Sequence, residues 1–283
     1  MGQRIAVSLY FLWYNWCMNI LYVGDVMAEM GMQAVERVLP GLVQTEGVDF
    51  VVAQAENVTD GKGMSPHDMA RLQRAGVQAF SGGNHTPSLS SLASLLEDPA
   101  QPVVGPANMV DCPGPGYKLV DTPNGAVLVV SLLGSIVGKQ AEVETENPLK
   151  KIDEILAAVP RDSYVANVVN LHGDFSSEKL VFGHYLDGRV SVVVGDHWHV
   201  PTADAQVLPK GTAHMTDVGM CGSLDSSLGV AFDSIIPRWR DGYQTRNVLE
   251  TTGRMQFNAL LVEVNTTTGR ATSAKHIREV REV

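Results

Sequence analysis

The sequence predicts an α/β fold built on a largely parallel sheet, and three observations carry that prediction. Short β-branched apolar runs alternate with stretches of helical spacing. Each run stops at glycine or a polar cluster, as strands do where they give way to loops. Carboxylate, amide and imidazole side chains recur at those stops, the edge where open α/β folds collect their ligands.

Taken in order, Met18-Asn19-Ile20-Leu21-Tyr22-Val23 is the first core strand and ends in Gly24-Asp25. Residues 29–39 have helical spacing, and Pro40-Gly41 predicts the stop. Residues 49–53 form a second short strand that runs into Gln54-Ala55-Glu56-Asn57. Ser65-Pro66 supplies an N-cap and a first-turn proline, so a helix is expected to about Arg74. A third strand over 77–80 ends in Ser81-Gly82-Gly83-Asn84-His85. Residues 117–120 and 126–132 flank Pro123-Asn124-Gly125 as a hairpin. Asn147-Pro148 opens a helix to about Val159, the strand 164–171 delivers His172-Gly173-Asp174, and a helix follows from about Ser176. The run 189–194 leads into Gly195-Asp196-His197-Trp198-His199. After it come residues 205–208, a glycine-rich segment over 211–222 and a short helical region. Residues 257–264 and 270–276 close the chain as an antiparallel pair. No repeat, low-complexity tract or linker divides it, so residues 18–283 read as a single domain.

Composition narrows the function. With 283 residues, 45% hydrophobic and 18% charged, the chain is ordinary globular protein. Its net charge of −10 argues against a stable DNA partner, which needs Lys/Arg to release counterions. A phosphate-ester substrate would find its positive partner in metal rather than in lysine. Cys17, Cys112 and Cys221 have no paired spacing, which fits a reducing cytoplasm and suggests neither a disulfide framework nor a thiolate zinc site. Residues 5–17 are apolar and follow Arg4, but are too short to span a bilayer and lack a small-x-small cleavage site. Because Met18 opens the first strand, residues 1–17 are expected to be a non-essential extension from a mis-assigned start, with no membrane role.

The candidate chemistry sits at five strand ends: Asp25, Glu56 with Asn57, Asn84 with His85, His172, and His197 with His199. Each alone reads as a turn residue, a cap or a structural histidine. Together they form a mixed oxygen–nitrogen set suited to iron, manganese, cobalt or zinc and ill suited to calcium. Two histidines one residue apart, on a loop leaving a buried strand, suit two neighbouring ions, each ring serving its own.

Gly24-Asp25, Glu56-Asn57, Gly83-Asn84-His85, His172 and His197-Trp198-His199 resemble, in that order, the motif series of the calcineurin-like metallophosphoesterases. Glu56-Asn57 in place of the usual bridging Asp, and Thr216-Asp217-Val218-Gly219-Met220-Cys221-Gly222 after the His-x-His loop, resemble the YmdB-like branch. That branch is associated with 2′,3′-cyclic-nucleotide 2′-phosphodiesterase activity. The likeness runs from Met18 to about His276. It implies a metallophosphoesterase-like sandwich of two mixed β-sheets flanked by helices, and two divalent metal ions, iron or manganese before zinc or cobalt. It also implies that Glu56 bridges the ions. Asp25, Asn57 and His199 would complete the first, and Asn84, His172 and His197 the second, with His85 as the catalytic group on the phosphate. Two carboxylates against two divalent ions leave roughly two positive charges to hold a phosphate. The ions, about 3.5–4 Å apart, would bind water as a nucleophilic hydroxide and polarise the phosphoryl group for in-line displacement.

Some positions depart from the family's pattern. Asp196 stands where Thr is usual, Trp198 lies between the histidines, and Asp174 replaces a Glu. Thr86-Pro87 replaces Trp-Asp, and His214 replaces a Tyr. None is an implied ligand. They are expected to border the mouth of the site and affect substrate preference, with packing an equal account of His214 and Trp198. The resemblance thus implies a cytoplasmic, homo-oligomeric phosphodiesterase acting on a small phosphodiester, first a 2′,3′-cyclic nucleotide. A phosphomonoesterase or 3′,5′-cyclic phosphodiesterase using the same site remains open, as does a regulatory protein that senses a nucleotide without turnover. The full ligand set favours catalysis, and turnover of an aryl phosphodiester separates the classes.

Overall fold

The computed structural model describes residues 17–138 and 143–282. Its first third holds β1 (Cys17–Val23), β2 (Asp25–Val26), α1 (Ala28–Thr45), β3 (Phe50–Gln54), α2 (Pro66–Ala75), β4 (Ala79–Ser81) and α3 (Ser90–Glu97). The middle adds β5 (Tyr117–Val120), β6 (Val127–Leu133), α4 (Pro148–Ala158), β7 (Ala166–His172), α5 (Ser176–Tyr185) and β8 (Val192–Asp196). The chain then forms β9 (Gln206–Val207), β10 (Ala213–Met215), β11 (Met220–Ser223), α6 (Phe232–Asp241), β12 (Arg254–Asn265) and β13 (Arg270–Glu282). The expected extension lies outside the described residues except for Cys17, which already pairs with Asn265 in β1.

The strands build two mixed sheets, where the alternation pattern predicts one largely parallel sheet. In the first, β1, β3 and β4 run parallel, and the β12–β13 hairpin adds antiparallel to β1. Past the end of β1, β11 takes up the same edge of β12 and carries β2. The second sheet has the order β5-β6-β7-β8-β10-β9, with a parallel centre and antiparallel outer pairs. The period-2 alternation of strand side chains explains why the sheets stack. Met18, Ile20 and Tyr22 of β1 pack against Val129, Val168 and Val194 from the second sheet. Their alternates Leu21 and Val23 pack with Met30, Val35 and Leu42 of α1. Likewise Leu128, Val130 and Leu132 turn outward to Ile152 and Ile155 of α4 and Phe182 of α5. Both faces of each central strand are covered, which is why those strands read as continuous apolar runs.

Two local expectations are corrected. Helix α1 does not stop at Pro40 but continues to Thr45, because Leu39 and Leu42 bury on either side of the exposed proline. Burial of that last turn outweighs the lost N–H bond, about 3 kcal/mol for an interior proline. The glycine-rich segment 211–222 is not loop throughout; it contains β10 and β11. Helix α3 carries no capping side chain to mark its start. Among the described residues no helix is long and apolar enough to cross a membrane.

Candidate metal centre

The donors come from the C-terminal ends of strands in both sheets. Asp25 follows Gly24, whose missing Cβ lets this turn close on the Gly219 carbonyl; the Asp25 amide donates to that oxygen at 3.1 Å. Glu56 and Asn57 leave β3, with the Glu56 amide anchored on Gln54 Oε1 at 2.9 Å. A side chain at Gly83 would overlap Glu56 Oε2 and come within 2.8 Å of the His172 ring, so only glycine lets the end of β4 pass beneath them. His172 is the last residue of β7, and His197 and His199 lie just past β8. Both of the latter hold left-handed backbone, with φ of 104° and 63°. That conformation costs about 1–3 kcal/mol per non-glycine residue and persists only where the surroundings enforce it. Here Asp217 enforces it. Its Oδ2 accepts from the Trp198 amide at 2.9 Å and from the buried Lys179 Nζ at 2.9 Å.

All eight predicted residues are brought to one place. Glu56 is central: its Oε1 lies 3.1 Å from His172 Nε2, and the Asn57 Nδ2 group donates to it at 3.1 Å. Its Oε2 accepts from the His85 amide at 2.8 Å. On one side stand His172, Asn84 Oδ1 at 3.1 Å from His172 Nε2, and His197 Nδ1 at 2.9 Å from it. On the other stand Asp25, with both oxygens 3.1 Å from Asn57 Nδ2, and His199 Nε2 at 3.1 Å from Asp25 Oδ2. His85 is set apart, half-exposed, with Nδ1 2.8 Å from Asn57 Oδ1.

The donor set fits cations. Donor atoms of Glu56, His172 and His197 lie within 4.8 Å of one another. Two ring nitrogens 2.9 Å apart, as in His172 and His197, need a shared proton or a shared cation between them. Protons stand in for positive charge in the electrostatics as well. Burial would raise the Glu56 carboxyl, but the charge and hydrogen bond of His172, then His85, outweigh it and hold it down to about 2. Burial would lower His172, and the Glu56 and Asp196 carboxylates instead raise it well above the ordinary imidazole range. His199 is raised against its burial by Asp25. His197 is pushed down to about 3 by burial and then by charged His172. A divalent cation here would displace those protons. The Asn57 amide turns its nitrogen to the carboxylates; a half-turn about χ2 would present its oxygen to a cation instead.

The centre opens on a cleft of about 510 Å³. Of the departures expected at its mouth, only Asp174 and Trp198 line it. Asp196, Thr86 and His214 are buried. Asp196 packs beneath His172, with Oδ1 2.6 Å from its Nδ1. Thr86 Oγ1 accepts from the Gly83 amide at 2.8 Å, and His214 Nδ1 faces the Val193 carbonyl. Sequence reasoning missed the Lys179–Asp217 pair and the far wall of Arg238, Trp239 and Asn247, and it placed Asp196 at the mouth instead of beneath His172. An acid closing a wholly apolar strand was the available signal for Asp196.

A two-sheet sandwich with carboxylate, amide and imidazole donors gathered at its strand ends defines a metallophosphoesterase, a class of enzymes that hydrolyse phosphoric esters. Residues 21–277 match the model of one family within that class, and the chain belongs to it: the YmdB-like proteins. It is 33% identical over 262 residues to a 2′,3′-cyclic-nucleotide 2′-phosphodiesterase of Bacillus subtilis, covering 92% of this chain and 96% of that one. Among solved structures it is similar to a phosphatase from Mycoplasma pneumoniae, with 29% identity, a TM-score of 0.86 and 94% of each chain covered. A hypothetical protein from Thermus thermophilus matches at 33% identity and a TM-score of 0.84, covering 93% of this chain and all of that one.

Proposed function

We propose that this chain is a cytoplasmic phosphodiesterase that hydrolyses 2′,3′-cyclic nucleotides with two divalent ions, iron or manganese first. The observation that carries the reading is Glu56 standing between two donor sets at the floor of one cleft. Asp25, Asn57 and His199 would hold one ion with Glu56, and Asn84, His172 and His197 the other. Such a pair supplies the Lewis acidity that activates water and polarises a phosphoryl group. Once the Asn57 oxygen turns to an ion, its amide nitrogen faces His85 Nδ1, so the half-exposed ring would carry its proton on Nε2, free to bond a phosphate oxygen or to protonate the leaving ribose oxygen. The unpaired cysteines support a reducing compartment.

The far wall favours a nucleotide over a smaller ester. Trp239, Arg238, Asn247 and Leu228 line the same cleft as His85 and His197. An indole face takes a stacked base, worth about 1–3 kcal/mol by alanine substitution, and the amide of Asn247 can read a base edge. The name of the Bacillus relative supports the same substrate class. The test is a panel of 2′,3′-cyclic, 3′,5′-cyclic and monoester substrates assayed with Mn²⁺, Fe²⁺ and Zn²⁺ in turn. The 2′,3′-cyclic nucleotide should be turned over fastest. Trp239→Ala should raise its KM about tenfold while leaving glycerol 1,2-cyclic phosphate, which has no base, unaffected. An equal change on both substrates would rule out stacking of a base on Trp239.

A further inference from the structure

His172 is supported from behind by Asp196, a buried carboxylate that gives one oxygen to that ring and the other to Tyr22 and Asn170. The two residues are register partners on the adjacent parallel strands β7 and β8, so their side chains leave the sheet side by side. Asp196 is fully buried. Its Oδ1 lies 2.6 Å from His172 Nδ1. Its Oδ2 accepts from the Tyr22 hydroxyl at 2.7 Å and from Asn170 Nδ2. Tyr22 is fixed in turn by Ser81 Oγ at 2.9 Å. The other polar atom near Nδ1 is Gln54 Nε2 at 3.2 Å, an amide nitrogen that cannot accept a proton. The Nδ1 proton therefore goes to Asp196, and Nε2 is left to face Glu56, Asn84 and His197.

Burying a carboxylate costs several kcal/mol even after relaxation. The buried Lys179 does not offset this directly: its Nζ bonds the Asp196 main-chain oxygen at 2.7 Å and the Asp217 carboxylate. The Asp196 charge acts through the imidazole. We propose that Asp196 is a positioning residue for the metal centre. It locks His172 in the tautomer and orientation that turn Nε2 to the second ion, and its charge tightens that ion's binding. This rests on the two-ion reading above. Carboxylate–imidazole–metal relays of this kind change metal affinity by about 10–100-fold when the outer carboxylate is removed.

The test uses Zn²⁺ as probe and a chromophoric chelator as competitor on the full-length protein, with melting of the metal-free protein as a control for folding. Wild type should bind two ions. Asp196→Asn should bind one as wild type does and the other about 10–100-fold more weakly. His172→Ala should weaken that same ion, and the double variant should be no weaker than His172→Ala alone, because the carboxylate acts only through the ring. Wild-type constants in Asp196→Asn, or additive losses in the double variant, would overturn the proposal. If Asp196→Asn does not fold, the ¹⁵N spectrum of the Zn²⁺-loaded wild type decides. His172 should show a protonated Nδ1 and a metal-bound Nε2, and the reverse pattern would overturn the proposal. A wild-type protein that takes up no second ion would overturn the two-ion reading itself, and this inference with it.

Discussion

His85 differs from the other imidazoles of the site in both exposure and partner. Its side chain is 35% exposed, against 0% for His172, 18% for His197 and 9% for His199, and its Nδ1 lies closer to the Asn57 amide oxygen, at 2.8 Å, than to Glu56 Oε1, at 3.6 Å. That is a position from which to handle substrate. His85→Ala is therefore expected to keep both metal ions while kcat falls about 10²–10⁴-fold. The defect should shrink when the leaving group is nitrophenolate, which needs no proton. Equal defects on both substrates would leave only contact with a phosphate oxygen, and loss of metal would make His85 a ligand. Glu56 should behave differently. Because it stands between both donor sets, Glu56→Ala should lower occupancy of both ions together, and His172→Ala that of one; elemental analysis finding a full pair in Glu56→Ala would contradict the bridge. The residue types at the strand ends were legible from the chain alone, since each follows an apolar run. The role of Asp196 was not, because it depends on the register of β7 against β8, which no local pattern encodes.

At the scale of elements, the site depends on how closely the strand ends approach. Gly83 shows this most sharply. Gly83→Ala would force its Cβ into Glu56 Oε2, which the His85 amide holds in place. Crowding of this kind costs about 1–3 kcal/mol. The variant is expected to fold, by circular dichroism, but to bind fewer ions; two full equivalents with wild-type kcat would contradict the geometry. The start of α2 offers an acid-side test. Burial would raise the Asp68 carboxyl, but hydrogen bonds from the Thr59 and Ser65 hydroxyls hold it below its ordinary value of 3.8. A depressed pKa contributes stability above the unfolded value that is lost as pH falls through the folded one. Removing both hydroxyls should flatten the fall of Tm on the acid side, and an unchanged slope would contradict this. Most elements could be read from capping and periodicity, as Ser65 and Asn147 cap α2 and α4 through their side chains. Those that could not were decided by tertiary contact. Pro40 is carried through α1 by burial of the following turn, and the glycines of 211–222 mark close approach, as where Gly219 packs against Pro201.

Over the whole molecule, two sheets meet so that neither alone holds the centre. The first supplies Asp25, Glu56, Asn57, Asn84 and His85, and the second supplies His172, His197 and His199. The motif order could be read along the chain, and the resemblance it carried implied the sandwich. Alternation alone pointed to a single sheet, because it does not show where one sheet ends and the next begins. In a chain of net charge −10, bound cations would add the positive charge that a phosphate needs at a site holding the Asp25 and Glu56 carboxylates. The most direct test is ³¹P NMR of 2′,3′-cyclic AMP incubated with the Mn²⁺-loaded protein, before and after chelation. Adenosine 3′-phosphate is the expected single product, with no turnover once the ions are removed. Turnover that survives chelation, release of inorganic phosphate, or an untouched cyclic ester with Mn²⁺, Fe²⁺ and Zn²⁺ alike would contradict a metal-dependent 2′,3′-cyclic phosphodiesterase.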